Sequence, residues 1–110
     1  MIVLSAVTAL VLLALVTQAG VVAVQRAYPP EGRMIEVAGA TLHVVELGPS
    51  QGTPIVLLHG TSASLHTWDG WVAALKDKHR VVRVDMPGFG LTGPTPDGNY
   101  TMPVYTHFVI

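Results

Sequence analysis

From Ile2 to Val24 the chain carries 23 mostly apolar residues, interrupted only by Ser5, Thr8, Thr17, Gln18 and Gly20. A helix of that length, at about 1.5 Å per residue, crosses a hydrocarbon layer of roughly 30 Å with a little to spare. No polar face recurs at helical period, which disfavours a helix packed on a globular core. Pro29-Pro30 followed by Glu31-Gly32 reads as a connector, first stiff and then flexible. Beyond it the period changes to two. Arg33 to Val37 places Ile35 and Val37 opposite Met34 and Glu36, and Thr41 to Leu47 places Leu42, Val44 and Glu46 opposite His43, Val45 and Leu47. These are two strands, with a tight turn around Gly39 between them and a loop from Gly48 to Thr53 after them.

Ile55 to Leu58 is apolar on both faces, the pattern of a central strand covered by helices on each side. Trp68, Trp71, Val72 and Leu75 then recur at i, i+3, i+4 and i+7, predicting an amphipathic helix with Thr67 as its cap and both tryptophans as core anchors. Arg80 to Val84 is the next strand. Strand, helix and strand in succession predict a right-handed crossover and parallel pairing. The stretch from Met86 to Gly98 holds three prolines and four glycines and is therefore loop. Thr101 can cap a last helix, with Pro103 in its first turn and Val104, Phe108 and Val109 as its apolar positions.

Charge sharpens this division. The first 24 residues hold no charged side chain, and the remaining 86 hold all 13 Asp, Glu, Lys and Arg. The domains expected are a transmembrane helix over 2–24, a linker over 25–32 and an incomplete soluble domain over 33–110. A cleavable signal peptide would want a basic start and an apolar core of about 7–15 residues. Here nothing basic precedes Arg26, and the apolar run continues past the Thr17-Gln18-Ala19 cleavage candidate. A retained single-pass anchor in the lipid bilayer is the favoured reading. Positive-inside counting puts the soluble part on the cytoplasmic side, on the strength of Arg26 and Arg33 alone. The lack of cysteine excludes a disulfide framework, and a net charge of −1 offers no basic surface for nucleic acid.

Two motifs close the two apolar strands. His59-Gly60-Thr61 follows the first, where a glycine after a strand lets the backbone turn and present the next amide, that of Thr61, to a developing oxyanion. Asp85-Met86-Pro87-Gly88-Phe89-Gly90 follows the second. Gly88-Phe89-Gly90-Leu91-Thr92-Gly93 also fits the dinucleotide fingerprint Gly-x-Gly-x-x-Gly, which works only where the glycines open a helix. Pro94, Pro96 and Asp97-Gly98 follow at once, so a Rossmann-type binder is disfavoured.

In their joint order and spacing, strand-His59-Gly60-Thr61, the Trp68 helix and strand-Asp85-to-Gly90 resemble the α/β-hydrolase superfamily, over about Arg33 to Ile110. The order is that of its esterases, dehalogenases, epoxide hydrolases and carbon–carbon bond hydrolases. The resemblance implies an α/β fold class. This chain would hold the N-terminal part of the hydrolase sheet, with four strands, one complete helix and one truncated helix behind the transmembrane helix. It implies that the Thr61 amide lines the oxyanion hole and that His59, Gly60, Asp85, Pro87, Gly88 and Gly90 shape the loops. It also implies hydrolysis of an ester or related bond through a covalent intermediate, with a small-molecule substrate in the complete protein, water as second substrate and no cofactor. Trp68 could border an acyl pocket. In the family's strand order Ile55 to Leu58 lies between the strand of Arg80 to Val84 and a fifth strand, so here it would form an exposed edge.

The family's nucleophile stands on a Gly-x-Ser-x-Gly elbow, or an Asp equivalent, one helix and one strand further on. No such elbow occurs in these 110 residues, and the acid and catalytic histidine come later still. The chain alone is therefore expected to be inactive. Ser62, Ser64, His59 and Asp85 have the composition of a triad, but a triad is defined by mutual geometry. Ser62 and Ser64 fit a loop before a helix, and Asp85 fits a turn where it accepts backbone N–H bonds. His43, His66, His79 and His107 show no close ligand spacing, so no metal site is expected. The competing class is a non-catalytic membrane protein that keeps a vestigial hydrolase start.

Overall fold

The computed structural model describes residues 2–109, without the side chain of Ile2. The chain divides into two compact units, Met1–Glu31 and Gly32–Ile110.

The first unit is helix α1, Ile2–Ala27. Its 26 residues extend roughly 39 Å at 1.5 Å each. Val3, Leu4, Leu10, Leu13 and Val16 are among its exposed side chains, and the helix is long and apolar enough to cross a membrane. The Thr8 and Thr17 hydroxyls donate to the carbonyls of Leu4 and Leu13, at 2.9 and 2.8 Å. Those bonds satisfy polar atoms that an apolar surrounding would otherwise strand. The helix runs three residues past the expected end at Val24, because Gln25, Arg26 and Ala27 are good helix formers and nothing forbids the turn before Pro29.

The second unit is built on four strands: β1 (Arg33–Val37), β2 (Ala40–Leu47), β3 (Ile55–Leu58) and β4 (Val81–Val84). They lie in the order β1-β2-β4-β3. Strands β1 and β2 form an antiparallel hairpin with Val37 opposite Ala40. Both residues of its turn are left-handed, Ala38 at φ 49° and Gly39 at φ 81°, the twist that suits a two-residue hairpin. β2 pairs antiparallel with β4, Val44 facing Val84. β3 pairs parallel with β4, Leu58 facing Val84. Parallel pairing requires a crossover, supplied by a 3-10 turn, Leu65–Trp68, and helix α2, Asp69–Leu75. Helix α3, Met102–His107, follows the long loop after β4, with Thr101 at its N-cap position and no side-chain capping bond.

Alternation sends the two sheet faces to different neighbours. Ala40, Leu42 and Val44 form a buried cluster with Ile35, Val37, Val82, Val84 and Phe108 against it. The other face carries His43, Val45, Val81, Arg83 and Asp85, all buried. There Arg83 bonds Asp69 at the start of α2, and Asp85 bonds the Leu65 amide.

The crossover differs from the expected single helix. Thr67 does not cap it. The Ser64 side chain accepts from the His66 amide, the Thr67 amide donates to the Ser64 carbonyl, and α2 begins at Asp69 with Trp68 in the N-cap position and no side-chain cap. Trp71 is 62% exposed and makes an edge-on ring contact with Trp68. Trp68 closes the 3-10 turn and stands at the N-cap of α2 with φ −97° and ψ 5°, outside helical backbone, so Trp68 and Trp71 do not share one helical phase. Leu65 and Val72 are the buried anchors instead.

Candidate functional site

Because β3 and β4 are parallel and in register at Leu58 and Val84, both chains leave the sheet at the same end. His59 and Asp85 are the first residues out, and both are buried. The His59 ring accepts the Met86 N–H on Nε2 at 2.9 Å, while Nδ1 lies 2.8 Å from the Gly60 carbonyl and donates to it. These partners select the neutral Nδ1–H tautomer. Phe89 packs edge-on against the same ring, with centroids 5.5 Å apart. His59 therefore fastens the loop after β3 to the loop after β4.

Asp85 is a second fastener. Its Oδ1 accepts the Leu65 N–H at 2.8 Å, and its Oδ2 accepts the Leu91 N–H at 3.0 Å and meets His43 Nδ1 at 2.9 Å. Burial works to raise its pKa, but the bonds from the Leu91 amide, His43 and the Leu65 amide outweigh it and hold the carboxyl below its usual range. Thr92, also buried, completes the knot by donating to the Asp85 carbonyl and accepting from the His43 amide. Gly90 sits at φ 53°, and a Cβ there would overlap the Asp85 carboxyl group. Only glycine meets both conditions.

Between the fasteners lies the segment Gly60 to Ser64. Thr61 is exposed, and its N–H has no acceptor among the described residues. Ser62 is at φ 60°, a left-handed conformation that residues other than glycine seldom take. Gly60 and Thr61 line a cavity of about 420 Å³, with Leu58, His59, Met86 and Phe89 on the strand side and Met102, Tyr105 and Val109 on the α3 side. A Cβ on Gly60 would meet nothing within 4 Å, so glycine here leaves room in the cavity rather than relieving a clash. The Tyr105 hydroxyl donates to the Pro87 carbonyl at 3.2 Å and ties α3 to the same loop.

Trp68 does not line this cavity; it is half-buried beside Trp71. Gly88 to Gly93 closes on itself through a Gly88 N–H to Gly93 carbonyl bond, and no helix starts until Met102. A pyrophosphate site of Rossmann type is thereby ruled out, since no helix N-terminus follows the glycines. Among the described residues, Ser64, His59 and Asp85 are each engaged in other bonds and do not form a triad. Ser64 is occupied as a cap, His59 by two backbone groups, and Asp85 by two amides and His43.

Three participants were not singled out by sequence reasoning: His43 as the partner of Asp85, Thr92 as the bridge, and Arg83 as a buried cation beneath α2. His43 and Thr92 are 49 positions apart, so no local spacing links them.

Comparison with known proteins agrees with this geometry. The alpha/beta hydrolase fold profile matches residues 53–109, just over half of the chain. The dihydrolipoyllysine-residue acetyltransferase component of the acetoin cleaving system of Pseudomonas putida is 40% identical over 65 residues, 59% of this chain and 18% of that protein. The pimeloyl-acyl-carrier-protein methyl ester esterase of Legionella pneumophila is 41% identical over 51 residues, 46% of this chain and 20% of its own length. Among solved structures, the Cif epoxide hydrolase from Acinetobacter nosocomialis superposes with a TM-score of 0.66 at 33% identity, over 72% of this chain and 24% of that one. The chain thus spans about a fifth of the length of these curated relatives. With its parallel β3-β4 pair, its two fastened loops and this match, the chain belongs to the α/β-hydrolase fold family.

Proposed function

We propose that this chain is the membrane-anchored N-terminal part of a hydrolase that cleaves an ester or related bond through a covalent intermediate. Within it, the Thr61 amide serves as one oxyanion-hole donor. The observation that carries this reading is the Thr61 N–H, without an acceptor at the wall of a cavity and held between two fastened loops. A donor fixed in advance stabilises charge as it develops and needs no reorganisation at that moment. Similarity to an esterase and an epoxide hydrolase supports the reaction class. The 110 residues contain no Gly-x-Ser-x-Gly elbow, so the nucleophile, acid and catalytic histidine would come from elsewhere in a longer chain, and this stretch alone would not turn over.

The reading frame beyond Ile110 provides the first test. An elbow within about 20–30 residues supports the enzyme, one helix and one strand being all that intervenes. An in-frame stop instead supports a non-catalytic membrane protein. The second test is kinetic. In the product of the complete frame, Thr61→Pro removes the N–H and should lower kcat on a nitrophenyl ester by about 10²–10³-fold. An unchanged kcat would refute the assignment of Thr61.

Helix α1 would be the anchor, with the lipid bilayer as its partner. Its exposed leucines and valines, and its Thr8 and Thr17 back-bonds, suit an apolar surrounding. Resistance to alkaline carbonate extraction, with the mature N-terminus still at Met1 or Ile2, is the expected result. Release into the soluble fraction after cleavage near Ala19 would show a signal peptide.

A further inference from the structure

The loop that carries Thr61 is pinned at both ends by consecutive residues at the tip of β4. At its start, His59 Nε2 accepts the N–H of Met86. At its end, the Leu65 N–H is held by the carboxylate of Asp85. The five residues between include Thr61 and Ser62, the latter kept left-handed at φ 60°. A strained conformation persists only where its surroundings over-determine it. Here the two pins fix where the loop begins and ends, and so how its amides point.

Asp85 is itself held. His43 Nδ1 and the Leu91 amide engage Oδ2, leaving Oδ1 directed at Leu65. Thr92 bridges the His43 amide and the Asp85 carbonyl, which sets the two residues against each other through the backbone as well. The carboxylate is 2% exposed as part of its residue, so water does not compete for these bonds.

We infer that Asp85, oriented by His43, is a positioning residue: its carboxylate fixes the His59–Leu65 loop and thereby the direction of the Thr61 amide. The functional consequence rests on the oxyanion reading of Thr61, whereas the positioning itself does not.

The test uses the full 110-residue chain in detergent micelles, followed by ¹H–¹⁵N and ¹³C NMR. Asp85→Asn is near-isosteric but removes the charge and one acceptor. It should displace the Thr61, Ser62, Leu65 and Leu91 amide signals and speed Leu65 and Leu91 exchange by about ten- to a hundredfold, the loss expected for hydrogen bonds to a charged group. Ser62 should also lose the carbon shifts of a left-handed residue. Strand signals such as Val44 and Val84 should stay in place. His43→Ala should move the same four amides in the same direction by a smaller amount, and it decides the matter if Asp85→Asn fails to fold. Val37→Ala, at the far edge of the sheet, serves as a matched destabilised variant. It should speed exchange across the sheet without moving Thr61. Displacement of Leu65 and Leu91 with Thr61 and Ser62 unmoved would overturn the inference.

A kinetic arm separates the two readings. If Thr61→Pro leaves kcat of the complete enzyme intact while Asp85→Asn moves the Thr61 signal, the oxyanion role fails and the positioning stands. If Thr61→Pro lowers kcat and Asp85→Asn neither moves Thr61 nor lowers kcat, the positioning fails.

Discussion

At Asp85, burial and hydrogen bonding pull the carboxyl in opposite directions. Burial favours the neutral form, while the Leu91 amide, His43 and the Leu65 amide favour the charged one and prevail. A carboxyl whose native pKa is depressed adds stability in full above its unfolded value of 3.8, and loses it as pH falls through the native value below that. The stability gap between the native chain and Asp85→Asn should therefore be constant above about pH 5 and narrow as pH drops toward about 3, read as the difference in Tm. A gap that widens on acidification would contradict the sign. Glycine chemistry at this site is equally specific. Gly90→Ala meets both the positive φ and the Asp85 carboxyl and should cost about 2 kcal/mol or more in denaturant unfolding. Gly93→Ala, with nothing within 4 Å of the added carbon, should stay within about 0.5 kcal/mol.

Strands β3 and β4 are four residues each, and their importance lies in where they stop. Parallel and in register, they release His59 and Asp85 side by side, which antiparallel pairing would not do. The crossover between them is where pattern and packing part. Helical spacing marks Trp68 and Trp71 as anchors, yet the 3-10 turn resets the phase and buries Leu65 and Val72. Leu65→Ala should then cost about 2–4 kcal/mol, against about 1 kcal/mol or less for the exposed Trp71→Ala, measured by denaturant unfolding of the full chain in micelles. The reverse ranking would restore the helical reading. Strand β4 also hides Arg83, whose guanidinium reaches Asp69 at the first turn of α2 and so ties the crossover back to the strand it leads into.

For the molecule as a whole, the sheet edge matters most. In the order β1-β2-β4-β3, strand β3 pairs on one side only among the described residues, and Val56 at its centre is 48% exposed. Unpaired N–H and C=O groups beside an apolar strand are a template for other chains. Residues 33–110 expressed alone in water should aggregate or remain partly ordered, with Val56→Lys reducing the aggregation seen by light scattering. A sharp, cooperative melt of a monomer would contradict this. The same edge is where the hydrolase resemblance places a fifth strand, which would cover it in the longer enzyme proposed above. Helix α1 adds a separate demand, since Val3, Leu4, Leu10, Leu13 and Val16 are among its exposed apolar side chains.

What the sequence determined follows from short-range periodicity. Arg33–Val37 and Ile55–Leu58 come out with the residues the pattern assigns, and the long apolar run comes out as one helix, because a strand's alternation or a helix's breadth is written within a few neighbours. The motif order was sufficient for the family as well, being a matter of spacing along the chain. The tertiary structure alone decided the contents of the buried face. His43, Asp85 and Thr92 come together from three separate stretches of chain, and the bonds among them, like that of Arg83 to Asp69, depend on which strands pair and in which direction. It also decided that Trp71 faces solvent, since helical phase is a local property only until a change of helix type resets it. Local order follows from neighbours in sequence. The partners of a buried carboxylate follow from neighbours in space, and those exist only once the sheet has formed.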